Sequence, residues 1–446
     1  LPIYPYYKHF SAYIIVAYPL VCSELVCIII PLSDNLMLGR LGIVPLAAAS
    51  LANSIFTACA IFPRGISYGL TPLIAAAQVK QQYAKMAQLL QHALYINTTL
   101  GLVFVGLLLW CAGLLPCLQQ DPQVSTLARP YLQLIALSLM PMMLFSTLAR
   151  YLEGLSCTRQ LMVISLVGTL LNILLNYLLI YGKWGMPRLG LNGAGWATLL
   201  SRTLMMVLAG AYVWLAPQLK AYRVGGKLGQ LTLPYFFKLA QLGIPIGLQL
   251  SLEMMVFAFM AIMTGWLGPT AQAANAIVSN VVDIALGITW AISIATSVLV
   301  SKPFSLRNTQ ELKKVGIVGF MLGSMVAILL SLGLLWMERP IFSLYSADQR
   351  VLHIASSVVV SAALFNLADS IYTIGMGALR GMQVTLQPMF IANASNWLIG
   401  LPLGYGLAFK LGWDLAGIWW GKTFAFSLSA LLVQRLFNRS ASSTRP

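Results

Sequence analysis

Five carboxylates stand where a carboxylate is costly to keep. Only 11 of the 446 residues are acidic, and Glu24, Asp34, Glu253, Asp283 and Asp369 fall inside long apolar stretches. Placing an aspartate at the centre of a membrane helix costs about 2.5–3.5 kcal/mol on insertion scales. A carboxylate in that setting binds a cation, pairs with a base, or holds a proton. An acid that releases one cation to accept another performs the elementary step of an antiporter. Three bases share the apolar stretches, Arg64, Arg202 and Lys422, and they are the candidate charge partners. Five acids against three bases leave at least two carboxylates without a permanent basic partner.

The acids form two groups along the chain. In the first, Asp34 is joined by Asn172 and Asn176, one helical turn apart on one face of LLNILLNYLLIYG, and by Ala194 and Thr198 at the same spacing. A carboxylate, amide oxygens and a hydroxyl suit a small hard cation, so Asp34, Asn172, Asn176 and Thr198 form a candidate Na⁺ site. The same amides and hydroxyl would equally serve as interhelical hydrogen-bonding groups. In the second group, Glu253 and Asp369 are the expected coupling pair, with Asp283 as a further candidate or as the partner of Lys422. Aromatic and methionine side chains surround them: Met255, Phe257, Met260, Trp290, Phe365 and Tyr372. Such residues attract flat organic cations by cation–π contact and repack around them, although the same residue types also make ordinary helix packing.

These residues are positioned by twelve apolar segments, at about 12–36, 46–77, 88–115, 126–150, 159–182, 191–216, 237–265, 270–300, 314–337, 350–376, 385–409 and 413–436, each long enough for the ~20 residues a membrane helix needs. The chain is 59% hydrophobic and 9% charged, so lipid is its expected solvent. The first and seventh segments echo one another: Pro19 and Pro245 open them, and G-x-L-G closes them at Gly39–Gly42 and Gly265–Gly268. A fainter echo joins Gly190–Trp196 to Gly412–Ile418. Copies six spans apart cross the membrane in the same direction, which gives two parallel six-helix halves, a transporter architecture. The expected division is an N-terminal lobe over 1–216, a cytoplasmic linker over 217–236 and a C-terminal lobe over 237–446.

The formal net charge of +16 is a topology signal rather than a nucleic-acid footprint. Arg40, Arg129, Lys183, Arg188, Arg339, Arg350 and Lys410 fall on one side and three bases lie inside spans. The remaining 17 of 27 Lys/Arg gather on the other side and at the termini, which places both termini in the cytoplasm. Leu1–Phe10 is too short and too aromatic for a cleavable signal peptide. The six cysteines lie in or at the ends of apolar spans without a C-x-x-C, which reads as core packing rather than metal or disulfide chemistry. A membrane-embedded lipid transferase would want paired acids for Mg²⁺ or a histidine base. No two acids are adjacent, and His9, His92 and His353 fall at or near span ends. The loop Q-V-K-Q-Q-Y-A-K after span 2 lacks the glycines and acid expected of a major facilitator.

The ordered motifs resemble those of the multidrug and toxic compound extrusion (MATE) transporters, in the NorM-type branch. They are D-N-L-M-L-G-R-L-G from Asp34, G-L-T-P-L-I-A-A-A-Q from Gly69, N-I-L-L-N-Y-L-L-I-Y-G from Asn172, S-L-E-M-M from Ser251, G-A-L-R-G from Gly377 and L-P-L-G-Y-G from Leu401. The resemblance implies an all-α inner-membrane protein of twelve helices in a V-shaped pair of lobes. It implies export of organic cations in exchange for Na⁺ or H⁺ by alternating access, with no other cofactor, in a monomer surrounded by lipid. Glu253 and Asp369 match the second-lobe coupling carboxylates, and Asp34, Asn172, Asn176, Ala194 and Thr198 match the first-lobe cation site. Asn176 stands where some relatives carry a second aspartate. Glu24 and Asp283 have no place in the pattern. Arg64 and Lys422, if they reach the cavity, point toward an anionic cargo, and a flippase of lipid-linked precursors is the nearer alternative within the superfamily.

Overall fold

The computed structural model describes residues 4–118, 121–220, 232–345 and 348–443, and among these every regular element is helical. Most of the expected connector, with Gly225-Gly226, lies outside the described residues. The helices are α1 (Tyr4–Gly39), α2 (Ile43–Ser67), α3 (Leu70–Val79), α4 (Tyr83–Leu114), α5 (Pro122–Gly154), α6 (Thr158–Tyr181) and α7 (Leu191–Leu215), then α8 (Leu233–Trp266), α9 (Pro269–Ser305), α10 (Thr309–Trp336), α11 (Glu338–Ser343), α12 (Gln349–Ser357), α13 (Val359–Gly381), α14 (Leu386–Ala394), α15 (Leu401–Tyr405) and α16 (Asp414–Ser443). Eleven helical runs among the described residues have the length and apolarity to cross a membrane, α2 and α3 together forming one of them, Ile43–Val79.

Three expected spans differ in detail. The tenth, expected over 350–376, is the short α12 followed by a turn at Val358 and then the membrane-length α13. The eleventh, expected over 385–409, is continuous from α14 through α15 but winds into π turns at Ser395–Gly400 and Gly406–Lys410. Each π turn holds an extra residue and widens the helix locally. The first span begins earlier than residue 12, because α1 starts at Tyr4 and its membrane-length run at Lys8, and it continues unbroken through Pro19.

Loop acids cap helices. Asp121 accepts from the backbone N–H of Gln123 (2.7 Å) and Asp348 from that of Arg350 (2.9 Å), while Asn308 accepts from Glu311 (3.1 Å). These bonds satisfy amides that the first turn leaves without partners. The sequence repeat reappears in the backbone. Left-handed positions occur in pairs 226 or 227 residues apart: Gly42 with Gly268, Gln81 with Arg307, and Ser156 with Gln383.

The chain packs into two compact units, Cys22–Gly247 and Leu1–Val21 with Leu248–Pro446. The boundaries of these units fall inside α1 and α8, again 226 residues apart. In the first unit, Thr232 donates its N–H to Nε2 of the fully buried His92 (2.9 Å) and Tyr235 and Phe236 pack on the imidazole, fixing the start of α8. In the second, Tyr13 donates to the Val315 carbonyl (2.9 Å) and His9 meets Glu311 (3.1 Å), fixing the start of α1.

The tightest crossing in Cys22–Gly247 joins α2 to α8 through two small-residue motifs, Gly65-x-x-x-Gly69 and Gly243-x-x-x-Gly247. A β-carbon on Gly65 would lie 2.5 Å from the Gly247 α-carbon, and one on Gly243 would lie 2.7 Å from the Ile66 carbonyl oxygen. Both obstacles are backbone. Gly65→Ala should therefore destabilise the protein by about 1–3 kcal/mol, the cost of overpacking, read as a lowered thermal midpoint in detergent. An unchanged midpoint would show that the crossing relaxes freely.

Candidate functional site

The first group of predicted residues comes together. Ser23 donates to Ser165 (2.9 Å) and Tyr181 donates to the Met37 carbonyl (2.9 Å), so hydrogen bonds hold α1 to α6 on either side of Asp34. Between them, the Asn176 amide donates to the buried Asp34 carboxylate and to Asn172 Oδ1 (3.1 Å). Asn172 in turn donates to Ser201 Oγ (3.3 Å), and Ser201 donates to the Thr198 carbonyl (3.1 Å). Ala194 is fully buried in the core formed with α2 and α5. Its missing side-chain bulk, rather than any polar group, is what it contributes.

The chain of bonds has one loose end. Asn176 Oδ1 is buried without a hydrogen-bond partner. A buried acceptor left bare costs about 1–3 kcal/mol, and together with the Asp34 carboxylate it offers oxygens to a small cation. These residues therefore fit Na⁺ chemically. Ser201 was not singled out from the sequence, although it lies three residues beyond Thr198 and so on the same helix face.

The second group also assembles. From α13, Tyr372 donates to Glu253 Oε2 (3.4 Å) and Thr373 donates to Asp369 Oδ2 (3.3 Å); from α8, Gln249 donates to the Tyr372 hydroxyl (2.9 Å). Gln249 lies one turn before Glu253 and Thr373 one turn after Asp369, so helical spacing puts each on the face of its acid, whereas Tyr372 reaches Glu253 from the neighbouring helix. Asp369, Gln249 and Tyr372 are buried, and Glu253 is half-buried. Gln249 and Thr373 are residues that the sequence reading missed; the i−4 and i+4 offsets from the two acids were the available signal.

Asp283 stands apart from this pair. It is exposed and lies within electrostatic reach of Lys422, but forms no ion pair with it. Among the candidate cavity residues, Phe257 stacks on Phe426, and Phe365 and Tyr372 pack edge-on against the same ring. Met255 is exposed. Met260 is buried in a packed cluster with Val256, Met263, Ala408 and Ile418, so its role there is core packing. Trp290 lies under the Arg380 guanidinium, 5.0 Å from ring centre to cation.

The three candidate bases do not pair with the five acids. Among the described residues, ion pairs involve only Glu153, Glu311 and Asp348 on the acidic side. Arg202 donates to Ser138 Oγ (2.7 Å) and covers the Phe56 ring, Lys422 lies over aromatic rings, and Arg64 is exposed and hydrogen-bonded to Tyr68. Glu24 is half-buried and within electrostatic reach of Arg64. The reason is geometric. Tyr68 and Trp419 lie one helical turn from Arg64 and Lys422, and Arg202 meets Phe56 and Ser138 on neighbouring helices.

One buried ion pair does exist, at the C-terminal end of α5, which runs four residues past the expected end of the fourth span. Arg150 and Glu153 close α5 with an N–O distance of 2.9 Å, the carboxylate also accepts from Thr71 (3.4 Å), and the guanidinium covers Tyr68. R-x-x-E is the spacing at which such pairs form on one helix face. The repeat places Arg380 where the first half has Glu153, so the two halves share backbone but not charge at this position.

Asn176→Ala should remove the donor that holds Asp34 against α6. A hydrogen bond to a charged group is worth about 1.5–3 kcal/mol. A correspondingly lower unfolding midpoint is expected by tryptophan fluorescence in detergent, and Asn172→Ala should have a smaller effect.

The MatE family model matches residues 19–178 and 245–406. A probable multidrug resistance protein NorM of Pseudomonas aeruginosa is 30% identical over 419 residues, covering 93% of this chain and 86% of that protein. A NorM protein of Synechococcus is 29% identical over 434 residues, covering 96% and 94%. Among solved structures, an outward-facing multidrug resistance MATE family transporter of the MOP superfamily superposes with a TM-score of 0.90 at 16% identity, covering 98% of this chain and 96% of that one.

Proposed function

The chain belongs to the MatE family, and on that premise we propose that it is a secondary antiporter that exports organic cations in exchange for Na⁺ or H⁺ by alternating access. The observation that carries this reading is the state of the acids. Glu253 and Asp369 are held by a tyrosine and a threonine hydroxyl, Asp34 by an amide, and none of them by a base. Neutral donors leave a carboxylate's charge uncompensated, so a mobile cation can compensate it and leave again. A permanent arginine partner would have closed that option.

In this mechanism Glu253 and Asp369 load the coupling ion, with Asp283 as an auxiliary acid, and the Asp34–Asn176–Asn172 group is a second loading site. The wall for the cargo is built from Met255, Phe257, Trp290, Phe365 and Tyr372. Ion uptake weakens the hold on a bound organic cation, and the coupling ion's release lets the next one bind. An inward voltage contributes about 2.3 kcal/mol per net charge per 100 mV. Each ligand must bind the two access states with different affinity for the cycle to be coupled. The protein acts as a multi-pass, monomeric inner-membrane transporter of twelve spans with both termini in the cytoplasm. It needs no cofactor beyond the coupling ion and has no nucleic-acid partner.

The exposed Arg64 supports a second reading, export of an anionic metabolite. Ethidium uptake into inverted vesicles, whose lumen is the periplasmic side, driven separately by a pH step and a sodium step, separates the two readings and identifies the ion. Glu253→Gln and Asp369→Asn each remove an ion contact worth about 1.5–3 kcal/mol, which should slow ion-driven efflux roughly ten- to hundredfold. Wild-type rates in both variants would sink the assignment.

A further inference from the structure

The ammonium of Lys422 lies 4.4 Å from the centre of the Trp419 ring and 5.5 Å from that of Phe257. Both distances are within the reach of a cation–π contact, about 6 Å. The rings are held firmly. Trp419 donates its indole N–H to Asn275 (3.1 Å) and meets Phe365 edge-on, with centres 5.9 Å apart and planes at 84°. Phe257 lies parallel to Phe426, and Phe426 is braced by Phe365 and Tyr372. Trp419, Lys422 and Phe426 follow one another along one face of α16 at helical spacing. The rings therefore present their electron-rich faces at fixed positions, and what they hold is an ammonium group.

We propose that the Phe257–Trp419 pair is a subsite for the ammonium of an organic cation and that Lys422 is its tethered occupant, which cargo displaces. This rests on the organic-cation reading above and adds to it the location of the cation and a built-in competitor. Asp283 supplies the place to which Lys422 moves. It is exposed, within electrostatic reach of Lys422, and not ion-paired with it. A cation on an aromatic face and an ion pair exposed to solvent are of similar, small strength. The lysine can thus exchange one position for the other at little net cost, while the rings pass from one ammonium to another. The same geometry accounts for a lysine in a transporter of cations: it keeps the subsite filled when cargo is absent. It also ties the subsite to the ion-coupling acids, because the Tyr372 ring packs on Phe426 while its hydroxyl donates to Glu253.

The test is the affinity of the purified, detergent-solubilised transporter for tetraphenylphosphonium, a cation without hydrogen-bond donors. Lys422→Met keeps the stem and removes the competitor, and should tighten binding by about 2- to 5-fold, the range of a cation–π contact of that small strength. Lys422→Arg, which retains a cation able to lie on both rings, should bind as the wild type does. Adding Phe257→Leu to Lys422→Met should lose most of the gain, and Asp283→Asn alone should weaken binding by leaving the displaced lysine without its counter-charge. Size-exclusion profiles check that each variant is folded. Unchanged or weaker binding by Lys422→Met, in a protein whose wild type exports ethidium, overturns the tethered-occupant proposal and leaves the antiporter reading standing. Failure of both wild type and Lys422→Met to bind the cation, with binding of an anionic probe that Lys422→Met abolishes, overturns both.

Discussion

The structure depends on how acids are satisfied away from water. A carboxylate inside a helical bundle needs hydrogen-bond donors, and the type of donor decides what the acid can do. At Asp34, Glu253 and Asp369 the donors are an amide and two hydroxyls, which stabilise the group without neutralising it. At Glu153 the donor is Arg150, and the pair closes α5 as a fixed fastening beneath Tyr68. Both solutions occur in one chain. The neutral-donor acids are the ones suited to exchange, whereas the paired acid is suited to hold.

Placing neutral donors beside an acid requires helices that cannot slide. Asn176 reaches Asp34 only because serine and tyrosine bonds fix the register of α1 on α6. Tyr372 reaches Glu253 only because α13 and α8 lie side by side, with Gln249 bridging to the same hydroxyl. Without a hydrophobic driving force between helices in lipid, such bonds and close backbone contacts set the packing. The glycine crossing of α2 on α8 is the clearest case of the second kind.

The internal repeat shows how far shared backbone constrains chemistry. Left-handed turns and unit boundaries recur at one offset, so the path of the chain is duplicated. The functional side chains are not. The first half groups an aspartate with two asparagines, the second sets a glutamate and an aspartate beside a tyrosine and a threonine, and the position of Glu153 in the first half is Arg380 in the second. Path is set by glycines, caps and apolar length, which tolerate divergence elsewhere. Site chemistry is set by a few side chains free to change.

The sequence by itself determined the solvent, the helical class, the repeat and which acids fall inside apolar stretches. Apolar length, the offset between Pro19 and Pro245, and the cost of a buried charge are all properties of residue type and spacing. It also placed Asn172 and Asn176 on one face, because α-helical periodicity is local. Only the tertiary structure decided that Arg202 and Lys422 turn to Phe56 and Trp419 rather than to acids, that Met260 is core, that Ser201, Gln249 and Thr373 complete the two groups, and that α1 and α8 each pass from one packing unit to the other. Those outcomes depend on which helices touch and at what depth. Hydropathy is blind to both, since every helix in lipid is apolar enough to pack against any other.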